Sequence, residues 1–391
     1  MSPQPASNGA APLSGIRVIE FCQVAAGPFC GLLLADMGAD VIKVEPPGGD
    51  SLRGWPPHTG GYGENFAALN RNKRSVVLDL KSADGRAAAL ALIAAAQVVV
   101  ENNRPGVMAR LGLGYADVTR GRRDLVYCSI SAFGQSGPRS GDGGFDVSVQ
   151  AVSGIMSVTG ERDGPPLKAG VPISDMATGL HGAFAIAALL RRVAQGGVGG
   201  HIDATMLGAS LAVAAFQTSE YYGTGRDPVR HGSAHPRNAP YRGFAAADGH
   251  FVLAAGNDKL WQSVCAVLQR PDLAADTRFS TTALRAKNQE TLALVLHAEF
   301  AKDSVAAWVA KFRAADVPCE PINSISQALS EPQVAHMGWV QPMVLPGDGA
   351  TRTLVSPLVL DGVSGTVGRR PPALGEHNAE VFREIGYRPA G

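Results

Sequence analysis

The residue of this sequence best placed to do chemistry is Asp175. It ends the stretch GVPISD at 170–175 and begins an apolar run that reaches Leu190. Such a run predicts a buried helix with one carboxylate in its first turn. Ser and Asp are favoured there because their oxygens accept hydrogen bonds from free N–H groups, and the helix dipole keeps a carboxylate ionised. Asp175 is therefore either an N-cap or an ionised carboxylate that acts as a nucleophile or base.

A basic stretch, NRNKRS at 70–75, is a second candidate. It precedes an apolar segment and is predicted to be a loop. Its Lys73 and Arg74 would either bind phosphate or lie in a solvated turn.

Loops that follow predicted strands supply the remaining candidates. The stretch ENNRPG at 101–106 comes where open α/β sheets bind ligands, and Arg110 lies one turn further on. Gly134 and Gly137 belong to a glycine-rich loop whose backbone N–H groups could face a ligand.

Several other chemistries lack their motifs. The loop QVAAGPFCG at 23–31 has only Gly27 before the helix, whereas a dinucleotide-binding fingerprint needs two tight-turn glycines. Nine histidines are dispersed, and no HExxH motif or cysteine cluster indicates a metal. No GxSxG elbow indicates a serine hydrolase. A net charge of +1 gives no argument for nucleic acid.

The elements that must position these residues follow an α/β pattern. Alternating strands and helices predict a parallel sheet with right-handed crossovers, in a Rossmann-like doubly wound large domain at 1–225. A predicted hairpin turned at 248–249 and several helices then form a smaller α+β domain at 226–323. The segment 324–391 is expected to return to the large domain.

Length and composition agree with a two-domain globular protein. The chain has 391 residues, of which 45% are hydrophobic and 18% charged. Five cysteines without a CxxC pair suit a reducing cytosol. Residues 1–12 lack the features of a signal peptide, and no uncharged run is apolar enough to span a bilayer. A cytoplasmic protein without a membrane or nucleic-acid partner is expected.

Several short motifs, in this order and spacing, resemble the family III CoA-transferases, also called the CaiB/BaiF or formyl-CoA transferase family. The resemblance covers nearly the whole chain, from Leu13 to Tyr387. The motifs are LSGIRVIE at 13–20, AGP at 26–28, GADVIKVEP at 38–46, NKRS at 72–75, EN and RPG at 101–106, FGQ and GP at 133–138, GVPISD at 170–175 and LGEH at 374–377.

The resemblance implies a role for Asp175. In that family an Asp in this position attacks an acyl-CoA thioester to give an aspartyl acyl anhydride, which becomes an aspartyl-CoA thioester before CoA passes to an acceptor acid. It also implies an interlocked homodimer, and coenzyme A or acyl-CoA as a substrate with no permanently bound cofactor. The acceptor region looks most like that of enzymes handling succinyl-CoA and dicarboxylates.

Coenzyme A contacts follow from the same resemblance. Pro46 replaces a basic residue of formyl-CoA transferase, so one contact of that enzyme is lost or replaced here. Together with the basic and glycine-rich candidates, the predicted CoA-binding residues are Val24, Ala25, Lys73, Arg74, Leu78, Lys81, Asn102, Asn103, Arg104, Arg110, Gly134 and Gly137.

Two alternatives remain. The α-methylacyl-CoA racemases share the fold but need an Asp and a His as acid/base groups, and they carry that His immediately before the residue aligned with Asp146. Phe145 stands there, which favours a transferase. A non-catalytic CoA-binding protein is the other alternative. For the acceptor, Arg226, Arg230, His231 and Arg237 would either bind a second carboxylate or form an exposed basic loop.

Overall fold

The computed structural model describes residues 11–347 and 349–388. Most of the N-terminal tail at 1–12, which was predicted not to be a signal peptide, lies outside the described residues. The chain divides into two compact units. The first comprises the residues up to Ile155, Lys168–Arg226 and the residues from Pro332 onward, and the second comprises Met156–Leu167 and Asp227–Glu331.

The first unit begins with alternating strands and helices. In order they are β1 (Arg17–Phe21), α1 (Ala26–Asp36), β2 (Asp40–Glu45), β3 (His58–Thr59), β4 (Tyr62–Gly63), α2 (Glu64–Asn70), β5 (Lys73–Val77), α3 (Ala83–Ala94), β6 (Val98–Glu101), α4 (Val107–Arg110), α5 (Tyr115–Val118), β7 (Val126–Ser131), α6 (Asp146–Val152), α7 (Ile173–Ala194), β8 (Gly200–Thr205), α8 (Met206–Val213) and α9 (Ala215–Thr224).

Six of these strands form one parallel sheet in the order β5-β2-β1-β6-β7-β8. This is the strand order of a Rossmann-like doubly wound sheet. The chain adds strands on one side of β1 up to β5 and then on the other side from β6 onward, so the topological switch point lies between β1 and β6. The predicted α/β class with a large parallel sheet is confirmed. The loops after β1 and β6 leave this switch point in opposite directions, and such a crevice is where open α/β sheets bind ligands.

Alternate residues of the strands cover the two faces of the sheet, as the two-residue period of a strand requires. On one face, Ile19 and Ile42 pack with Leu92 of α3. On the other, Val18 packs with Leu34 of α1 and with Ile186 of α7, along with the residues around them. The helices on both faces are thus held by fully buried aliphatic side chains, each worth about 1.5–3 kcal/mol of burial free energy.

Two predicted elements of this unit differ from the structure. The basic stretch at 70–75 was predicted to be a loop, but Lys73 and Arg74 begin strand β5. The residues at 206–222 are mostly apolar or small and predict a single buried helix. It is divided at Ala214, and none of the α9 residues is buried.

The second unit contains an antiparallel sheet and a helical layer. Its elements are β9 (Tyr241–Ala245), β10 (His250–Ala254), α10 (Asp258–Leu268), α11 (Pro271–Ala275), α12 (Thr282–Lys287), α13 (Gln289–Phe300), α14 (Val305–Ala314), β11 (Cys319–Pro321) and α15 (Ile325–Leu329). The strand order is β11-β10-β9. A core rich in aromatic rings, including Phe251, Trp261 and Phe300, joins the sheet to the helices.

The last part of the chain belongs to the first unit. It forms α16 (Pro332–Met337), β12 (Val340–Val344), β13 (Ala350–Leu354), β14 (Val359–Leu360), β15 (Val363–Ser364) and α17 (Asn378–Glu384). Val381 and Phe382 of α17 complete the core on the α3 face of the sheet. The predicted small domain at 226–323 lies almost wholly in the second unit, but that unit also takes residues 156–167 and 324–331 from ranges assigned to the large domain.

Helix α7 is the longest helix of the first unit. In the part of the chain that the structure describes, it is also the one helix long and apolar enough to cross a membrane by length and composition. It packs against α1, α8 and β7, as a core helix does. Leu180 and Phe184 nevertheless leave an exposed apolar side.

Candidate active site

Asp175 lies in the first turn of α7, close to the loop after β1. Helices α1 and α7 meet at Gly179, where an added Cβ would lie 2.8 Å from the carbonyl oxygen of Ala26. Only glycine permits this approach. Asp175 precedes Gly179 by one helical turn, about 6 Å along the axis. Gly182, further along α7, lies against Cys30, further along α1, so the two helices run in the same direction. Asp175 therefore lies before the start of α1, on the side of the loop that holds Val24 and Ala25.

The carboxylate of Asp175 does not cap its helix. Helix α7 begins at Ile173, its N-cap is Pro172, and that cap makes no side-chain hydrogen bond. Asp146 supplies the cap from α6 instead, since its Oδ1 accepts hydrogen bonds from the N–H of Ser174 at 2.9 Å and of Asp175 at 3.3 Å. The N-cap interpretation of Asp175 is therefore wrong. Its side chain is left partly buried and available for chemistry.

The expectation that Asp175 is held ionised is also wrong. Burial, followed by the negative charge of Asp146, raises the pKa of Asp175 to about 7. Burial removes hydration from the carboxylate, and Asp146 takes the helix N–H groups that would otherwise favour its charge. Near neutral pH, Asp175 exists in both protonation states.

Gln150 connects Asp146 to the chain that leads into α7. Its Nε2 donates to Asp146 Oδ2 at 2.6 Å, and its Oε1 accepts from the N–H of Ala169 at 2.8 Å. Gln150 is fully buried. Sequence reasoning missed this residue, although Asp146 and Gln150 stand at the i, i+4 spacing that brings side chains together on a helix.

Lys73 does not have the predicted role in binding phosphate. Its side chain is fully buried, and its Nζ donates to Glu20 Oε2, to the carbonyl of Pro28 and to Asn70 Oδ1. All three of its donors are therefore used inside the protein, because a buried ammonium group needs a charged partner. The prediction for Lys73 is wrong.

Arg74 is engaged in the same way. Arg74 is only 5% exposed, and its guanidinium group pairs with Asp40, Glu380 and Glu384. This pairing joins β5 to β2 and to the C-terminal helix α17. A phosphate would have to displace three carboxylates, so the prediction for Arg74 is wrong as well.

Three other predicted contacts also point into the protein. The side chain of Leu78 is buried in the core on the α3 face. Asn102 holds the main chain of Gln23, accepting from its N–H at 2.9 Å and donating to its carbonyl at 2.8 Å. The Nδ2 of Asn103 donates to the carbonyl of Phe21 at 3.3 Å. These side chains pack in the core or form hydrogen bonds to the main chain of the loops at the switch point. They are therefore engaged inside the protein and not available to bind a ligand.

Arg104, Arg110 and Lys81 remain exposed at this side of the sheet. None of the three side chains forms an ion pair with another described residue. The guanidinium of Arg104 lies over Gly143, where an added Cβ would come within 2.9 Å of its Nη2. These three cations are the predicted residues that could meet a phosphate.

Gly134 begins a turn between β7 and α6. Its φ is +98°, and an added Cβ would lie 3.1 Å from Thr205. The N–H of Gly134 donates to Ser131 Oγ, and the N–H of Gln135 donates to Asp203 Oδ2. Gly137 follows with a φ of +93°. The turn is therefore anchored on one side by side chains of β7 and β8.

One arginine of the basic loop that was predicted to bind a second carboxylate is already engaged inside the protein. Arg230, in the second unit, donates to the carbonyls of Ser157, Glu161 and Gly164. It fastens the segment 156–167 to that unit, so a carboxylate-binding role for Arg230 is wrong. Within residues 11–347 and 349–388, no group of three or more His, Cys, Asp or Glu side chains could hold a metal ion.

Comparison with known proteins decides the family. A sequence profile described as CoA-transferase family III matches residues 13–378. The chain belongs to CoA-transferase family III. The succinate–glutarate CoA-transferase of Agrobacterium fabrum is 40% identical over 382 residues, which are 96% of each chain. The succinyl-CoA:mesaconate CoA-transferase of Haloarcula hispanica is 36% identical over 394 residues, again 96% of each chain.

A solved structure of the family agrees. The crystal structure of a CaiB/BaiF family protein from Brucella suis has a TM-score of 0.86 at 35% identity and covers 96% of this chain and 100% of that one. The resemblance inferred from the motifs is confirmed, and so is the enzyme class, because the curated relatives are CoA-transferases. This CoA-transferase keeps the motif carboxylate, Asp175, at the start of its long core helix.

Proposed function

We propose that this family III CoA-transferase moves CoA from succinyl-CoA to a dicarboxylic acid, with Asp175 as the covalent nucleophile. The observation that carries the proposal is the position of Asp175. It is the carboxylate of α7 that caps nothing, it is partly buried, and it lies beside the loop of Val24 and Ala25. The choice of substrates is supported by the names of two relatives, a succinate–glutarate CoA-transferase and a succinyl-CoA:mesaconate CoA-transferase.

The reaction divides into four exchanges at one carboxylate. Asp175 attacks the thioester carbonyl of succinyl-CoA, giving an aspartyl succinyl anhydride and CoA thiolate. The thiolate attacks the aspartyl carbonyl and expels succinate, leaving an aspartyl-CoA thioester. The acceptor carboxylate attacks that thioester, giving a second anhydride and CoA thiolate. The thiolate then attacks the acceptor's acyl carbon and regenerates Asp175. Each step exchanges one activated acyl bond for another, so that one difficult transfer is divided into several easier ones.

Protonation controls the first step, because only the ionised carboxylate is a nucleophile. With a pKa raised to about 7, Asp175 is partly ionised at neutral pH. It is also more basic than an ordinary carboxylate, which favours attack on a thioester. Burial of Asp175 and, after it, the charge of Asp146 raise this pKa, and Asp146 also holds the N–H groups of residues 174 and 175.

Arg104, Arg110 and Lys81 are proposed to bind the phosphates of CoA. They are the exposed cations among the predicted contacts. A guanidinium group holds phosphate oxygens with paired, charge-assisted hydrogen bonds. In the glycine turn at 134–137, the N–H groups of Gly134 and Gln135 are already bound by side chains, so a direct role of the Gly134 N–H is excluded. The N–H groups of Ser136 and Gly137 are proposed to face the substrate.

We further propose that the enzyme is a cytoplasmic homodimer, interlocked as the family resemblance implies. The support is a set of exposed apolar side chains on α7, α8 and α9. They are Leu180, Phe184, Leu211, Val213, Phe216 and Tyr222. Apolar surface of this extent is covered by a partner in most soluble proteins. Sedimentation of the purified protein should give twice the mass of one chain, and a monomer would refute this assembly.

The test of the mechanism is to trap the covalent intermediate. The protein is incubated with succinyl-CoA, treated with hydroxylamine or borohydride, digested and mapped by mass spectrometry. The label is expected on the peptide containing Asp175, and Asp175→Asn is expected to lose activity by about a thousandfold or more. Asp163→Asn, an exposed matched change, should label and react normally. Labelling elsewhere, or full activity in Asp175→Asn, would refute the mechanism.

Two further measurements separate the alternatives. Incubation with a 2-methylacyl-CoA in deuterium oxide should give no exchange at the α-carbon, whereas a racemase would incorporate deuterium. The exposed phenyl ring of Phe145 cannot move the proton that a racemase must transfer. A panel of acceptor acids against succinyl-CoA should favour dicarboxylates, and a preference for monocarboxylates would refute the substrate proposal.

A further inference from the structure

The loop between β1 and α1 contains a residue in a rare conformation. Val24 has a φ of +65°, in the left-handed region that a β-branched side chain seldom adopts. Val24 is only partly buried, so the packing of its own side chain does not account for this conformation. Strained residues of this kind persist where their surroundings fix them, and they cluster at ligand sites.

Asp50 fixes Val24 from a distant part of the chain. Its two carboxylate oxygens accept from the N–H of Val24 at 3.2 and 3.3 Å, and Oδ1 also accepts from the N–H of Leu52 at 3.0 Å. Asp50 is 1% exposed. A buried carboxylate must be paired with a cation, and the Nζ of Lys43 lies 2.9 Å from Oδ2.

Lys43 joins this pair to the end of β1. Its side chain is fully buried, and its Nζ donates to the carbonyl of Cys22 at 2.7 Å and to Glu20 Oε1 at 3.2 Å. Burial acts to lower the pKa of Lys43, but the nearby carboxylates of Glu20, Asp50 and Glu45 raise it above its usual value. Lys43 is therefore charged, and it attracts both Asp50 and the main chain just before Val24.

Asn102 fixes the remaining residue of the loop. It makes two hydrogen bonds to the main chain of Gln23. The carbonyl of Cys22, both polar groups of Gln23 and the N–H of Val24 are thus each held by a side chain from another element. Val24 is the last residue held in this way, and Ala25 follows it directly. These two residues are the predicted CoA contacts of the loop.

We infer that Asp50, paired with Lys43, is a positioning residue that holds the Val24 loop in the conformation that receives CoA. The inference rests on the proposed function, because it takes CoA to be the ligand of this loop. Neither residue belongs to the predicted CoA contacts, and Asp50 touches CoA only through Val24. The arrangement makes a specific prediction: the loop needs Asp50 because residue 24 is a valine, and needs it less if that residue is glycine.

The test uses Asp50→Asn, which keeps the shape of the side chain and one acceptor oxygen. An amide has one donor side, which would face either the Val24 N–H or the Lys43 ammonium. KM for the CoA thioester is expected to rise about tenfold, equivalent to about 1.4 kcal/mol. KM for the acceptor acid is expected to change less than about twofold, because the inference assigns this loop to CoA and not to the acceptor.

Rescue distinguishes positioning from general stability. Glycine adopts a positive φ readily, so Val24→Gly in the Asp50→Asn background is expected to recover most of the lost affinity for CoA. Asp36→Asn serves as a matched control, since Asp36 is also a buried carboxylate, paired with Arg71 at the other end of α1. It is expected to lower the melting temperature while leaving KM for CoA unchanged.

Each outcome decides the inference. A folded Asp50→Asn variant with unchanged KM for CoA, or one that Val24→Gly does not rescue, overturns it. If Asp50→Asn does not fold, Asn102→Ala removes the two hydrogen bonds to Gln23 in the same loop, and the same rise in KM for the CoA thioester is required. The trapping experiment on the wild-type protein is the separate test of the proposed function. If it labels Asp175 while the KM results fail, the proposed function stands and only the inference is overturned. Wild-type protein that neither labels nor transfers CoA refutes the proposed function itself.

Discussion

Replacing Asp175 by asparagine should stabilise the protein at alkaline pH even though it removes activity. The pKa of Asp175 is raised to about 7 in the folded chain, against about 3.9 in an unfolded one. Folding therefore opposes ionisation of this group. The resulting loss of stability is absent below the unfolded pKa, grows as the pH rises, and is complete above the folded pKa.

The magnitude follows from the two pKa values. Proton linkage gives a destabilisation of about 1.5 kcal/mol at pH 5 and about 4 kcal/mol at pH 8. Asparagine carries no charge at either pH, so Asp175→Asn removes this term at both. The difference in stability between variant and wild type should therefore grow by about 2.5 kcal/mol between pH 5 and pH 8, which corresponds to about 3 °C in melting temperature for a chain of this length.

The assay is thermal unfolding of both proteins at the two pH values, with Asp163→Asn as the exposed control. Only the change with pH is diagnostic, because an amide and a protonated carboxyl group differ by a constant amount in their hydrogen bonding. The control should show no change with pH beyond that of the wild type. If the advantage of Asp175→Asn is the same at pH 5 and pH 8, the argument that burial and Asp146 raise this pKa is refuted.

Three further results are expected. Asp146→Asn removes a charge that raises the pKa of Asp175, so the rising limb of the pH profile of kcat/KM should move from near pH 7 to lower pH; an unmoved limb would contradict this. Arg104→Ala should raise KM for CoA about tenfold at low salt and less at high salt, whereas equal KM values at both salt concentrations would exclude a phosphate contact. Lys73→Met leaves Glu20 without one of its buried partners and should cost about 3–5 kcal/mol of unfolding free energy in urea titrations; in protein that remains folded, KM for CoA should not change.

The order of the parallel sheet was predictable because each of its units is local. Gly15 to Glu45 contains a strand, a helix and a second strand within about thirty residues, and the handedness rule then fixes their arrangement. The motif around Asp175 is also local. It combines a Gly/Pro approach with the start of an apolar helix, and both features are visible in the residue types alone.

The roles of Lys73 and Arg74 were not predictable from the sequence because their partners are distant. Lys73 pairs with Glu20, 53 residues away, and Arg74 pairs with Glu384, 310 residues away. From the sequence alone, two adjacent cations therefore predict a solvated loop, because the carboxylates that pair with them come close only in the folded chain. The cap of α7 has the same origin, since Asp146 comes from a different helix. Local rules identify Asp175 as a good capping residue but give no sign that the position is already filled.

The capture of the helix cap by Asp146 bears directly on the proposed chemistry. An Asp175 that capped its own helix would be stabilised as an anion, and forming an anhydride or thioester would then discard that stabilisation. In this structure burial and Asp146 disfavour the anion instead. The aspartyl anhydride and the aspartyl-CoA thioester are both uncharged at the aspartyl carbonyl, so their formation removes the charge that the site disfavours. The environment that raises the pKa of Asp175 thus lowers the energy of the covalent intermediates relative to the free carboxylate, by about 1.4 kcal/mol for each unit of the shift. This favours a nucleophilic role for Asp175 over a role as general base. A nucleophile loses the disfavoured charge in every covalent intermediate, whereas a base loses it only while it holds the proton.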